Sequence, residues 1–186
     1  MATGLSVTGE NMDKKQVPAI LLLSVCAMFT LLMSGCGQDT PERLRIGDDA
    51  PPFSIIDLEG ERRSLDDWTG FPIILRFWDT ECKYCRADSP IIDRYFNRFR
   101  ERGLKVLYVA TPNETEARVR SFIADIDIGF PVALDTSGNM TEDYQVNIVP
   151  QTIFISPERK IMTAMLGGVG EAELEELLGS YLKAEN

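Results

Sequence analysis

Apolar and polar positions follow three different rhythms along this chain. Residues 17–35 form one uncharged, mostly apolar run. After a polar stretch, Pro51-Pro52 opens a region of shorter patterns. Residues 53–57 read as a short strand, residues 58–61 as a turn, and residues 62–65 as a returning strand. Residues 66–70 form a break. Residues 71–77 are apolar except for Arg76, with the density of a buried central strand. From Cys82 to Arg102 the period becomes helical. Ile91, Ile92, Tyr95, Phe96 and Phe99 line one face, and Arg94, Arg98 and Arg102 share the opposite side. Pro90 falls inside this helix and is expected to kink it; Gly103 closes it. Residues 104–110 read as another buried strand. Thr115 starts a second helix, with Ala117, Val119, Phe122 and Ile123 as its inner face. Residues 130–134 are a short strand or extended segment, and residues 136–144 a turn and short helix. Residues 151–155 and 160–166 pair as a hairpin around Ser156-Pro157-Glu158-Arg159. A last helix covers residues 171–183. The order β, β, β, α, β, α, β, β, α predicts an α/β fold, a central mixed β-sheet flanked by helices, with an N-terminal β-hairpin extension.

Charge changes the reading of the N-terminus. Lys14 and Lys15 precede the apolar run, the pattern of an export signal. Met12 is an alternative start directly ahead of these lysines. The run ends in Leu32-Met33-Ser34-Gly35-Cys36, which resembles a bacterial lipobox, with Met33 where leucine is usual. That resemblance implies lipidation of Cys36. The other reading is an uncleaved anchor, because 19 residues are enough to span a bilayer. Both readings put the rest of the chain outside the cytoplasm and tethered to a membrane. The expected organisation is therefore a signal or anchor at 1–36, a linker at 37–49 and one domain at 50–186. Beyond Cys36 there are 17 Lys and Arg against 27 Asp and Glu. That excess of acid argues against nucleic-acid binding and against adhesion to anionic lipid.

Cysteine usage narrows the chemistry. Of four cysteines, Cys26 lies in the apolar run and Cys36 at its end, which leaves Cys82 and Cys85. The loop they close is too small for a structural staple, since loop entropy is the usual source of disulfide stabilisation. A pair this close reads as catalytic or metal-binding. Histidine is absent, which removes the usual general base and the commonest metal ligand. Cys82 is expected at the start of the long helix. There, unpaired N–H groups and the helix dipole favour the thiolate and lower a cysteine pKa from about 8.5 into the range of about 3.5–7.5. Cys85, one turn later, is placed to resolve a mixed disulfide.

Phe77-Trp78-Asp79-Thr80-Glu81-Cys82-Lys83-Tyr84-Cys85 resembles the active-site segment of thioredoxin-like proteins, the TlpA/ResA group in particular. Pro90 matches that group's helix proline, and Val149-Pro150-Gln151-Thr152 resembles the loop carrying its cis-proline. Phe154-Ile155-Ser156-Pro157-Glu158 resembles the hairpin that follows. Gly60 and Leu65 match the entrance to the fold. The resemblance spans about residues 50–182 and implies a thioredoxin-like fold. It also implies roles: Cys82 and Cys85 as catalytic dithiol, Pro150 cis beside the disulfide, and Val149 offering its backbone to substrate. Trp78 is implied to pack beside the site, and Glu114 to line the cleft as a proton relay for Cys85. The alternative for Glu114 is an acid placed at a helix start for the dipole.

Lys83 and Arg86 favour the Cys82 thiolate, whereas Asp79 and Glu81 oppose it. The two acids, and the lack of a histidine between the cysteines, point to a reducing protein. Two rivals are weaker. A thiol peroxidase wants Pro-x-x-x-Thr-x-x-Cys, which is absent here. A metal-delivery module of the Sco type uses CxxxC and histidine, and a structural zinc site needs about four ligands. The expected cofactor is none beyond the redox-active disulfide, with no metal. The expected partners are exported proteins carrying disulfides, apocytochrome c among them, and a membrane thiol transporter as electron donor.

Overall fold

The computed structural model describes residues 43–183, so the apolar run, Cys26 and Cys36 lie outside the described residues. Its elements run β1 (Ser54–Ile56), β2 (Arg62–Ser64), β3 (Ile73–Trp78), α1 (Lys83–Phe99), β4 (Lys105–Ala110), α2 (Glu116–Ile126), β5 (Val132–Leu134), α3 (Asn139–Asp143), β6 (Gln151–Ile155), β7 (Ile161–Leu166) and α4 (Glu171–Leu182). No helix among the described residues is long and apolar enough to cross a membrane.

β3 is buried at every position and sits in the middle of a five-stranded sheet of order β5-β4-β3-β6-β7. It runs parallel to β4 and antiparallel to β6. A strand covered on both faces sends alternate side chains to two cores. Ile73, Leu75 and Phe77 enter the core that also holds Trp68, Tyr144 and Ile161. Ile74 and Trp78 enter the other, with Cys85, Ile92 and Tyr95 of α1, Phe122 of α2 and Leu174 of α4. β1 and β2 form a separate antiparallel hairpin, attached to the sheet by a bridge from Asp57 to Ala133 of β5.

Several boundaries differ from the sequence reading for local physical reasons. The break at 66–70 contains a 3-10 turn, Asp66–Trp68, which turns Trp68 into the core. The long helix ends at Phe99 and tightens into a second 3-10 turn, Arg100–Arg102, closed by Gly103 in the left-handed region. Ala117 is exposed, so the inner face of α2 rests on Val119 and Phe122. The uncertain segment at 130–134 supplies β5, an edge strand of three residues paired with β4. At 43–49, Gly47 N–H donates to Ile161 O at 2.8 Å and Asp49 bridges Lys160.

Asp57 ties the hairpin together. Its carboxylate accepts the backbone N–H groups of Glu59 and Glu61 at 3.0 and 2.9 Å and Arg63 Nε at 2.7 Å. Burial alone pushes this carboxyl up, but the Glu61 N–H and the Arg63 guanidinium outweigh it and hold it below its ordinary value. A depressed folded-state pKa gives stability that is present above the unfolded value and is lost as pH falls through the folded one. Asp57→Asn should therefore lower stability by about 1–3 kcal/mol at neutral pH. Denaturant unfolding should show that this deficit shrinks once the pH falls below 3.8.

Candidate active site

β3 delivers the chain to the site. Its last residue, Trp78, is fully buried and packs on Phe122 at 4.7 Å and Tyr108 at 6.2 Å between ring centroids. Trp78 thus supports the site from below. Four residues on, Cys82 occupies the N-cap of α1 with extended backbone, and its sulfur accepts the Cys85 N–H at 3.0 Å. Cys82 and Cys85 are joined as a disulfide. A free N–H group of the first helical turn is therefore aimed at the Cys82 sulfur, where it would favour negative charge. Cys82 is half-buried and borders an open cleft of about 380 Å³ lined also by Thr80, Glu81, Lys83, Arg86 and Ala87. Cys85 has no exposed surface.

The Val149–Pro150 peptide bond is cis. Gln151 pairs with Phe77 in the β3–β6 ladder, which puts Pro150 at the same end of the sheet as Trp78. Gly167 N–H donates to Pro150 O at 2.9 Å. A side-chain carbon added at the next residue, Gly168, would lie 3.6 Å from Asp88 Oδ2 and 3.8 Å from the Tyr84 ring. This end of the sheet also carries exposed apolar side chains: Tyr84 in the first turn of α1, Ile148 just before the cis bond, and Leu166 at the end of β7 opposite Gln151. Val149 is half-buried and packs on the core that includes Tyr144.

Glu114 is buried and grips the approach to Cys82. It accepts the backbone N–H and hydroxyl of Thr80 at 2.8 and 2.9 Å. Arg118 completes this corner, donating to Thr80 Oγ1 and Glu81 Oε1 at 2.7 Å each. The acids flanking Cys82 are thus not bare charges: Glu81 is paired with Arg118, while Asp79 Oδ1 accepts the Glu81 N–H. Arg86 faces Asp125 at 3.5 Å.

The sequence reading missed Asp88, the carboxylate that shares Arg76 Nη2 with Cys85 Sγ. It is buried one turn after Cys85 and accepts Arg76 Nη2 at both oxygens, 3.0 and 2.8 Å, and the Val169 N–H at 2.9 Å. Burial pushes its carboxyl above the ordinary value, and Arg76 pulls against that rise. Arg76 Nη1 donates to Thr152 at 2.6 Å, and Nη2 lies 3.8 Å from Cys85 Sγ. The available signal was strand parity: Arg76 lies between Ile74 and Trp78, so it faces α1. Among the described residues, no three His, Cys, Asp or Glu side chains are grouped to hold a metal ion.

A sheet covered by helices, with a helix-start dithiol beside a cis-proline loop, defines a thioredoxin-like thiol–disulfide oxidoreductase. Comparison with known proteins agrees. The AhpC/TSA family model matches residues 46–164. Thiol-disulfide oxidoreductase ResA of Bacillus cereus is 31% identical over 88% of this chain and 92% of its own length. ResA of Bacillus subtilis is 29% identical over 86% and 88%. Among solved structures, a putative thiol:disulfide interchange protein DsbE from Chlorobium tepidum is 26% identical with a TM-score of 0.69, over 75% of this chain and 99% of that one. The thioredoxin domain of a thiol-disulfide oxidoreductase from Bacteroides vulgatus is also 26% identical, with a TM-score of 0.66 over the same shares. The chain belongs to the AhpC/TSA family and, within it, to the ResA-type thiol–disulfide oxidoreductases.

The two sulfurs differ in access, which gives a direct chemical expectation. After reduction, limiting iodoacetamide should modify Cys82 and leave Cys85 largely free, as read by mass on the peptide carrying both. Preferential modification of Cys85 would contradict this assignment.

Proposed function

We propose that this protein is a membrane-tethered, extracytoplasmic oxidoreductase that reduces disulfides in exported proteins, with apocytochrome c among its substrates. The observation that carries the proposal is the Cys85 N–H held 3.0 Å from Cys82 Sγ at a helix start. That contact favours Cys82 as the attacking thiolate. The thiolate attacks a substrate disulfide, and one substrate sulfur leaves with the electron pair. Cys85 then attacks Cys82 Sγ in the mixed disulfide, closes the Cys82–Cys85 bond and releases the second substrate sulfur. A membrane thiol transporter restores the dithiol, and no cofactor takes part beyond the disulfide.

Geometry supports the remaining roles. An extended substrate segment pairs with the backbone at Val149 beside cis-Pro150, and the exposed apolar side chains of Tyr84, Ile148 and Leu166 flank it. Glu114 acts as a positioning residue, because its contacts run to Thr80 two residues before Cys82. Asp79 near the nucleophile opposes the thiolate and weights the couple toward reduction, while Arg118 offsets the charge of Glu81. Export and tethering rest on the apolar run at 17–35 and on Cys36 as its lipidation site. The net charge of −10 leaves membrane attachment to that tether and is unsuited to nucleic acid.

Cys85→Ser should trap exported proteins as mixed disulfides on Cys82, released by dithiothreitol and resolved on diagonal gels. Cys82→Ser should trap none. Capture that persists without Cys82 would overturn the proposal.

A further inference from the structure

Cys85 Sγ lies against a buried cation that the exchange steps above do not use. Arg76 has no exposed surface. Its guanidinium carries five N–H donors. Nη1 takes Thr152, and Nη2 faces three acceptors, the two Asp88 oxygens and Cys85 Sγ at 3.8 Å. Nε has no hydrogen-bond partner among the described residues. The arrangement is thus rich in donors while the sulfur is a neutral disulfide, which is only a weak acceptor. We propose that Arg76 is a catalytic residue that stabilises the Cys85 thiolate, and that Asp88 sets how much of its charge reaches the sulfur. This inference deepens the thiol–disulfide reading and rests on it.

The step that needs Arg76 is the opening of the disulfide. A donor thiolate attacks Cys82 Sγ and forms a new S–S bond. The Cys82–Cys85 bond breaks, and its electron pair leaves on Cys85 Sγ. A second donor thiolate then attacks the donor sulfur of that mixed disulfide and releases Cys82 as a thiolate. The donor leaves as a disulfide, and the protein has gained two electrons. The charge on Cys85 arises where no water reaches, and a buried charge is costly unless it is paired. Arg76 supplies the pairing from a fixed position on the central strand. In the opposite direction it holds Cys85 as the thiolate that attacks Cys82 Sγ and expels the substrate sulfur.

The polar groups gathered around Arg76 and Cys85 come from several elements. They are Arg76 of β3, Asp88 of α1, Thr152 of β6, the Val169 N–H after β7, and Tyr108 of β4, which meets Ser89 Oγ at 3.1 Å. Burial pushes the Tyr108 phenol up and keeps it neutral. The charged groups of this set are Arg76 and Asp88, which bear on the sulfur with opposite sign. Opposite charges predict opposite consequences, whereas loss of packing moves both variants alike.

The test is the equilibrium of the full chain with glutathione buffers. Cys82 and Cys85 are alkylated and the peptide carrying them is read by mass. Asp88→Asn leaves Nη2 to the sulfur and should shift the equilibrium about tenfold toward the dithiol, a potential about 30 mV higher. Arg76→Gln leaves a carboxylate unopposed and should shift it about tenfold toward the disulfide. Arg76→Lys keeps the charge and should lie closer to the native value than Arg76→Gln. Shifts of the same sign in the Asn and Gln variants, or none, would overturn the inference. If Arg76→Gln does not fold, Asp88→Asn decides alone, and no gain of dithiol overturns it. A native chain that fails to exchange with glutathione would instead overturn the oxidoreductase reading itself.

Discussion

The chemistry of this protein depends on where a strand stops and a helix starts. β3 is fixed in the centre of the sheet by pairing on both sides, from Ile73 through Trp78 on the β4 edge and from Ile73 through Phe77 on the β6 edge. Four residues separate its buried end from the first turn of α1. That short tether leaves Cys82 one place to go, the cap of the helix, where its sulfur takes a backbone N–H that otherwise has no partner. The same junction hides Cys85 one turn deeper. Cys82 and Cys85 therefore differ in access through position alone, although they are chemically identical residues three apart.

Beneath them lies the polar exception to an apolar strand. Arg76 and Asp88 are both buried, in a site where breaking such a pair by removing one partner costs about 3–5 kcal/mol. The pair also links layers: Arg76 comes from the sheet, Asp88 from α1, Thr152 from β6, and the Val169 N–H from the loop leading to α4. The loop bearing Gly168 is thereby drawn toward Asp88 and Tyr84, beside the cis-Val149–Pro150 bond at the same end of the sheet. The cleft around the sulfurs owes its shape to contacts below the surface as much as to the residues on its rim.

Much of this was written plainly in the order of residues. The stretch before Trp78, apolar but for Arg76, the helical spacing of Ile92, Tyr95 and Phe99, and the cysteine pair between them locate the site without structural information. The hairpin of β6 and β7 is equally clear, because the turn 156–159 separates two apolar runs. What was hidden depended on tertiary partners. β5 has three residues and exists as a strand because Tyr108, Val109 and Ala110 offer it an edge. Asp88 reads as one more polar helix residue until Arg76 is placed beneath it. Glu114 was singled out by resemblance alone, and its contacts with Thr80 required the loop before Cys82 to be folded onto α2.

These features form one account. An AhpC/TSA-family sheet presents a dithiol at a helix start, a cis-proline loop beside it and a buried ion pair under its inner sulfur. All of them turn on the proposed activation of Cys82 by the helix start. The pH dependence of Cys82 alkylation in the reduced full chain tests this most directly, read by mass on its own peptide. The expected midpoint lies within the range of about 3.5–7.5 that helix N-termini impose on reactive cysteines. A midpoint at about 8.5, the value of an unperturbed thiol, would contradict it.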